Sequence, residues 1–294
     1  MENDLLTIRD YLRWAVSSFR AAKLAHGHGT TSAVDEAAFL ILETLKLPVD
    51  DINPWADARL TAPEREQLHR VIRERINTRK PAAYLTRRTY IHGVSFYVDE
   101  RVIVPRSFIG ELLFAPEGFG LEEAPENINS VLDLCTGSGC LAILAAGLFP
   151  NAVIDAVDLS ADALDVARIN VDEHGLGTRI TLIKSDLFAK LKGRAYDLII
   201  TNPPYVARAE VDAFPREYAH EPKLAHLGGD DGLDLVRRIL GEAADHLNIG
   251  GGLLCEIGTG RERLIAEYPD LDFLWLDTEE SQGEVFWITR EQLC

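Results

Sequence analysis

The stretch VLDLCTGSGCLAI, residues 131–143, constrains the fold more than any other part of this chain. Its apolar start reads as a buried strand, too short for a helix. Gly137 and Gly139 then form a tight turn that lets backbone approach a ligand closely, and a helix opens behind them with an N-terminus that favours negative groups. Gly137, Gly139 and Ala142 fit the GxGxxA form of a nucleotide-binding turn. By itself that spacing follows too many strands to define a ligand.

The pattern continues downstream. Strands are expected near 131–135, 152–157, 179–183, 196–201, 252–257, 271–276 and 284–289, after a Glu-, Gly- and Pro-rich loop at 116–127. Helices separate the first five, which predicts an α/β fold with a doubly wound parallel sheet. Only a turn around TEESQG parts the last two strands, so the final one is expected to run antiparallel. Ligands of such sheets bind outside the carboxyl ends of the strands.

Three acids fall at those ends. Asp133 closes the first strand, and Asp158 ends VIDAVDLS (153–160), where a carboxylate accepts hydrogen bonds from ribose hydroxyls. Asp186, in KSDLF, is placed for an adenine amine, with Leu187 and Phe188 as apolar surface for the ring. The turn and Asp158 suit NAD and S-adenosylmethionine equally. Asp133 favours the second, because a carboxylate beside the turn repels a pyrophosphate and attracts a sulfonium or ammonium. Each aspartate alone reads as a cap or turn residue; three at successive strand ends point to a ligand.

The fourth strand, in YDLIITNPPYV (196–206), ends in a stiff corner rather than small turn residues. Asn202 brings a side-chain carbonyl acceptor and an amide donor to the crevice. Pro203 and Pro204 hold φ nearly fixed and donate nothing, leaving the Pro203 carbonyl open to accept. Two adjacent acceptors suit a planar NH2 group, and Tyr205 is expected to stack on its flat face.

The N-terminal part is helical. Thr7 with Asp10, Ser32 with Asp35, and Thr61 with Glu64 are start signals before three amphipathic stretches, and Pro81 marks the end of the third. His26-Gly27-His28-Gly29 reads as a loop, since two imidazoles make a poor metal site. Between Arg65 and Arg88, eight basic residues stand against Glu66 and Glu74, a solvated face or a contact for RNA or an acidic surface. Residues 89–105 alternate apolar and polar types around turn formers, as a hairpin does.

Against that basic stretch, the 294-residue chain carries a net charge of −17, from 30 basic and 47 acidic residues. A field of that sign repels nucleic acid and favours basic partners. The four cysteines show no zinc spacing. No apolar run reaches the roughly 18 residues of a spanning helix. A reduced, cytoplasmic protein with no membrane partner is expected.

Asn202-Pro203-Pro204-Tyr205 together with Asp133-Leu134-Cys135-Thr136-Gly137-Ser138-Gly139 resembles the S-adenosylmethionine-dependent amino-methyltransferases. Over nearly the whole chain it looks like the HemK-type protein-glutamine methyltransferases. FYVDERVIVPRS (96–107), IGELL (109–113), EYAHEP (217–222) and DGLDLVRRIL (231–240) are most similar to the branch that modifies ribosomal protein L-three. The resemblance implies a seven-stranded Rossmann-like class I methyltransferase sheet at 110–294, a β-hairpin linker at 89–109 and a helical substrate-recognition domain at 1–88. It implies S-adenosyl-L-methionine held by Asp133, Cys135, Thr136, Gly137, Ser138, Gly139, Asp158, Asp186 and Asn202. It also implies a glutamine amide bound by Asn202, Pro203, Pro204 and Tyr205, without a metal. The partner implied is a basic protein, L-three, free or in an assembling large subunit, with no DNA. Glutamine methylation of release factors and amino-methylation of adenine in DNA are the alternatives. Release-factor relatives usually read Ile-Pro-Arg-Pro at Val104-Pro105-Arg106-Ser107 and often Gly at Cys135; the branch usually has proline at Phe108. The long connection from Val206 to Gly232 is expected to be a lid or docking segment, acidic through Glu210, Asp212, Glu217 and Glu221.

Overall fold

The computed structural model describes residues 4–114, 125–279 and 281–294, so most of the loop read at 116–127, and Glu280 in the last turn, lie outside the described residues. The chain forms two compact units. One runs to Glu100 and includes Phe214–Glu221; the other takes Arg101–Ala213 and Pro222–Cys294. The hairpin, expected as a separate linker, is part of the first unit, and so are eight residues of the long connection.

In the first unit the start signals act as read. Thr7 and Asp10 close a capping box on α1 (Ile8–Ala21), Ser32 accepts from Asp35 N at the head of α2 (Ala33–Thr44), and Thr61 and Glu64 box the start of α3 (Ala62–Thr78). Their apolar faces meet in one core with Tyr11, Phe19, Leu40, Ile41, Leu68 and Ile72 fully buried. Pro81 does more than end α3: after Arg79 turns left-handed, it sits at the cap of a short α4 (Ala82–Thr86). A two-residue turn with His92 and Gly93 at positive φ then joins β1 (Arg88–Ile91) to β2 (Val94–Tyr97).

Part of the basic stretch is consumed inside this unit. Arg75 is fully buried, bonding Glu36 at 2.9 Å and the Ala25 carbonyl at 3.1 Å, while His26 holds the other Glu36 oxygen at 2.7 Å. Arg79 pairs with Glu217 at 2.7 Å and Lys80 with Glu100. Glu217 and Glu221 are 1% and 4% exposed, so of the four acids read in the connection only Glu210 and Asp212 face solvent.

The second unit opens with α5 (Phe108–Leu112) and then alternates β3 (Ser130–Leu134), α6 (Cys140–Leu148), β4 (Val153–Asp158), α7 (Ala161–Glu173), β5 (Ile180–Lys184) and β6 (Tyr196–Thr201). The connection carries α8 (Arg208–Val211) and leads into α9 (Asp234–Ala243). It is followed by β7 (Leu247–Glu256), α10 (Arg261–Glu267), β8 (Leu274–Asp277), β9 (Gln282–Thr289) and α11 (Arg290–Leu293). The seven strands lie in the order β5-β4-β3-β6-β7-β9-β8. Five are parallel, and β9 inserts antiparallel between β7 and β8. The strand order reverses between β3 and β6, which opens a crevice at their carboxyl ends. No helix among the described residues is long and apolar enough to cross a membrane.

Candidate active site

A cavity of about 410 Å³ occupies that crevice. Strand ends β3 to β6 supply Cys135 and Gly137, Val157 and Asp158, Ser185 and Asp186, and Asn202 and Pro204 to its wall. The two turn glycines have different tasks. Gly137 is at φ +56 on the wall, and a Cβ there would point into open space, which leaves a cradle for a ligand. Gly139, at φ +80, lets the turn press on α7, where a Cβ would come 3.2 Å from Ala167 Cβ. Buried Asn170 of α7 steadies the same turn by donating to the Ser138 carbonyl at 2.9 Å. Cys135 is also left-handed, at φ +59, a conformation in which glycine is unstrained.

Asp158 bridges two segments of the wall. Its Oδ2 accepts from Gly137 N at 2.9 Å and its Oδ1 from Ser160 N at 2.8 Å. Each carboxylate oxygen retains capacity for a further donor such as a hydroxyl. Asp186 sits at the half-exposed rim, ion-paired with Arg238 at 2.9 Å, and Leu159, Leu187, Leu224 and Leu227 add apolar surface to the cavity.

Several expected cofactor contacts are behind the wall instead. Asp133 is fully buried, its Oδ2 accepting from Thr136 Oγ1 at 2.5 Å and Ala142 N at 3.0 Å, so it braces the turn. Thr136 and Ser138 are buried too, and neither they nor Gly139 line the cavity. The side chains that shape a tight turn point into the core, and backbone is left facing the ligand. Asp133 Oδ1 is buried with no hydrogen-bond partner among the described residues. Burial pushes the Asp133 carboxyl up to about 7, against the opposing pull of its Thr136 and Ala142 bonds. Its folded pKa is thus raised above the roughly 3.9 of a free aspartate. The unfolded chain gives up this proton first, so the group subtracts stability as pH rises from about 4 to about 7. Asp133→Asn abolishes this proton uptake. Melting curves are expected to show the variant gaining on the wild type across that interval, whereas a constant difference would refute the shift.

Pro203 is buried and, like Tyr205, is absent from the cavity wall, while Asn202 and Pro204 are on it. Neither the Asn202 side chain nor the Pro203 carbonyl has a hydrogen-bond partner among the described residues. Tyr205 is held away from the position expected for stacking: its ring lies against Gly258 and its hydroxyl donates to Glu256 Oε1 at 3.0 Å. The corner's backbone is braced by His226–Gly232, through Val206 N to the His226 carbonyl and Gly228 N to the Val206 carbonyl, both 2.9 Å. A Cβ on Gly228 would fall 2.6 Å from the Pro204 carbonyl oxygen, and one on Gly232 2.3 Å from that of Tyr205.

Glu256, Asn170, Gly228 and Gly232 were not anticipated as parts of the site. The only sequence signals are a lone glutamate in the apolar run GGLLCEI and the turn-rich GGDDG. Phe108, where the branch usually has proline, does not line the cavity; its N–H donates to Glu256 Oε2 at 2.9 Å, a bond proline cannot make. Among the described residues no three side chains gather as a metal site.

A parallel sheet with an inserted antiparallel β9, and a cavity at the carboxyl ends of β3 to β6, define a class I methyltransferase domain. The open cradle at Gly137, the free hydrogen-bonding capacity of Asp158 and the mixed polar and leucine walls fit S-adenosylmethionine. Residues 120–216 match the family described as the methyltransferase small domain. Over 99% of its length the chain is 57% identical to the ribosomal protein uL3 glutamine methyltransferase of Bradyrhizobium diazoefficiens, covering 92% of that protein. It is 55% identical to the Neisseria meningitidis enzyme of the same description over 99% of this chain and 95% of the other. The Burkholderia pseudomallei enzyme is 53% identical over 98% and 95%. The chain belongs to the family of ribosomal protein uL3 glutamine methyltransferases.

Proposed function

We propose that this protein methylates the side-chain amide nitrogen of one glutamine in the large-subunit ribosomal protein L-three, uL3. The observation that carries the chemistry is the pair of unpartnered acceptors, the Asn202 side chain and the Pro203 carbonyl, at the end of β6 beside the cavity. An amide nitrogen is a poor nucleophile because its lone pair is delocalised. Acceptors on both of its N–H bonds return electron density to it and fix its direction, and positioning of this kind supplies much of a rate. The prolines keep the acceptors from turning away, and no strong base is needed before attack. S-adenosylmethionine, when bound, supplies an electrophilic methyl on a sulfonium. Gly137 and Asp158 would hold it by backbone approach and hydroxyl acceptance, Asp186 and Leu187 would meet the adenine, and the leucine walls would exclude water.

Exposed Glu210 and Asp212, with the net charge of −17, favour a basic ribosomal protein. Asp158→Ala removes both the turn brace and the hydroxyl acceptor. Calorimetry is expected to show cofactor affinity falling about tenfold or more. Incubating the protein with labelled cofactor and purified uL3, and mapping the label by mass spectrometry, tests the assignment. Label on one uL3 glutamine supports it; label on release factors alone refutes it.

A further inference from the structure

Glu256 lies at the end of β7, fully buried, with no role so far in binding or chemistry. Three donors converge on it: Tyr205 Oη on Oε1 at 3.0 Å, and Ser107 Oγ and Phe108 N on Oε2 at 2.7 and 2.9 Å. A carboxyl taken out of water is costly unless its hydrogen bonds are well made. Hydrophobic residues would pack a strand end at lower cost, so stability alone does not account for it. Its partners show what it joins. Ser107 caps α5, and Tyr205 is the last residue of the acceptor corner. Gly258, at φ +53, clears space for the Tyr205 ring, since a Cβ there would fall 2.6 Å from Cε2. Gly228 and Gly232 hold the corner's backbone from one side, and Glu256 holds its one long side chain from the other.

Building on the glutamine-methylation reading, we propose that Glu256 is a positioning residue: through the Tyr205 hydroxyl it sets the direction of the Asn202–Pro203 acceptors at the end of β6. In Glu256→Gln, the single carbonyl oxygen still serves Ser107 and Phe108, and the new NH2 faces Tyr205. The tyrosine contact changes polarity while the fold keeps its packing. A residue that merely filled the core would act independently of the Tyr205 hydroxyl. A positioning residue acts through it.

The test is a double-mutant cycle on the full chain with uL3 as substrate. E256Q and Y205F are each expected to lower kcat about tenfold, to leave cofactor affinity within about threefold, and to cost no more together than the worse alone. Wild-type kcat in E256Q, or losses that multiply in the double variant, would overturn the proposal. Should E256Q not fold, Ser107→Ala removes one donor and leaves the carboxylate. Its several-fold loss of kcat is expected to vanish in the Y205F background, and persistence there would count against the proposal. The 13C shift of the Tyr205 ring carbon bearing oxygen, read without substrate, is expected to move in E256Q, and an unmoved resonance refutes the contact. A resonance that moves in E256Q, alongside wild-type protein that never methylates uL3, would sink the functional assignment instead.

Discussion

Asn202→Ala is expected to lower methyl transfer about a thousandfold, the scale on which removing one preorganised polar group from a reacting centre acts. The effect should lie in kcat, because the lost acceptor matters most as charge develops on the amide nitrogen. Cofactor affinity, measured by calorimetry, should change little: Gly137, Asp158 and the leucine walls are untouched, and Asn202 is one wall residue among many. Folding should be unharmed as well, since the Asn202 side chain has no hydrogen-bond partner among the described residues to lose. Turnover near the wild-type rate would remove the acceptor pair from the mechanism. A collapse of cofactor binding together with turnover would reassign Asn202 to the cofactor.

Gly232→Ala, 27 residues beyond Tyr205 in the sequence, is the second large effect. A Cβ would stand 2.3 Å from the Tyr205 carbonyl oxygen, and the residue is left-handed at φ +88. The conformation alone costs roughly 1–2 kcal/mol for a non-glycine residue, and the contact with backbone forces the corner or the turn to move. Displacing positioned acceptors by even 1 Å costs about a hundredfold in rate. The variant is therefore expected to lose turnover about a hundredfold and to melt several degrees lower. Turnover that survives intact would show that the corner does not depend on the turn.

Much of this was legible in order along the chain. Caps at Thr7, Ser32 and Thr61 act within one helical turn, and the apolar strands with their glycine break announce a parallel sheet because period and length are local properties. The alternation also put Asp158, Asp186 and Asn202 at strand ends, and these do line the cavity. The same reasoning gave Asp133 to the ligand, and the resemblance gave Ser138, because strand-end position does not say which way a turn side chain points. Glu217 and Arg79 read as surface charge, yet they pair across 138 residues of chain.

The order of apolar and polar residues, by itself, determined the sheet, the glycine turn and the stiff acceptor corner, all of which depend on neighbours a few positions away. Only the tertiary structure decided that Gly228 and Gly232 lean on that corner, that Asp133 braces the glycine turn, and that Glu256 reaches Tyr205 across 51 residues. Those roles are set by which distant segments come to share one volume. No spacing within a segment records that.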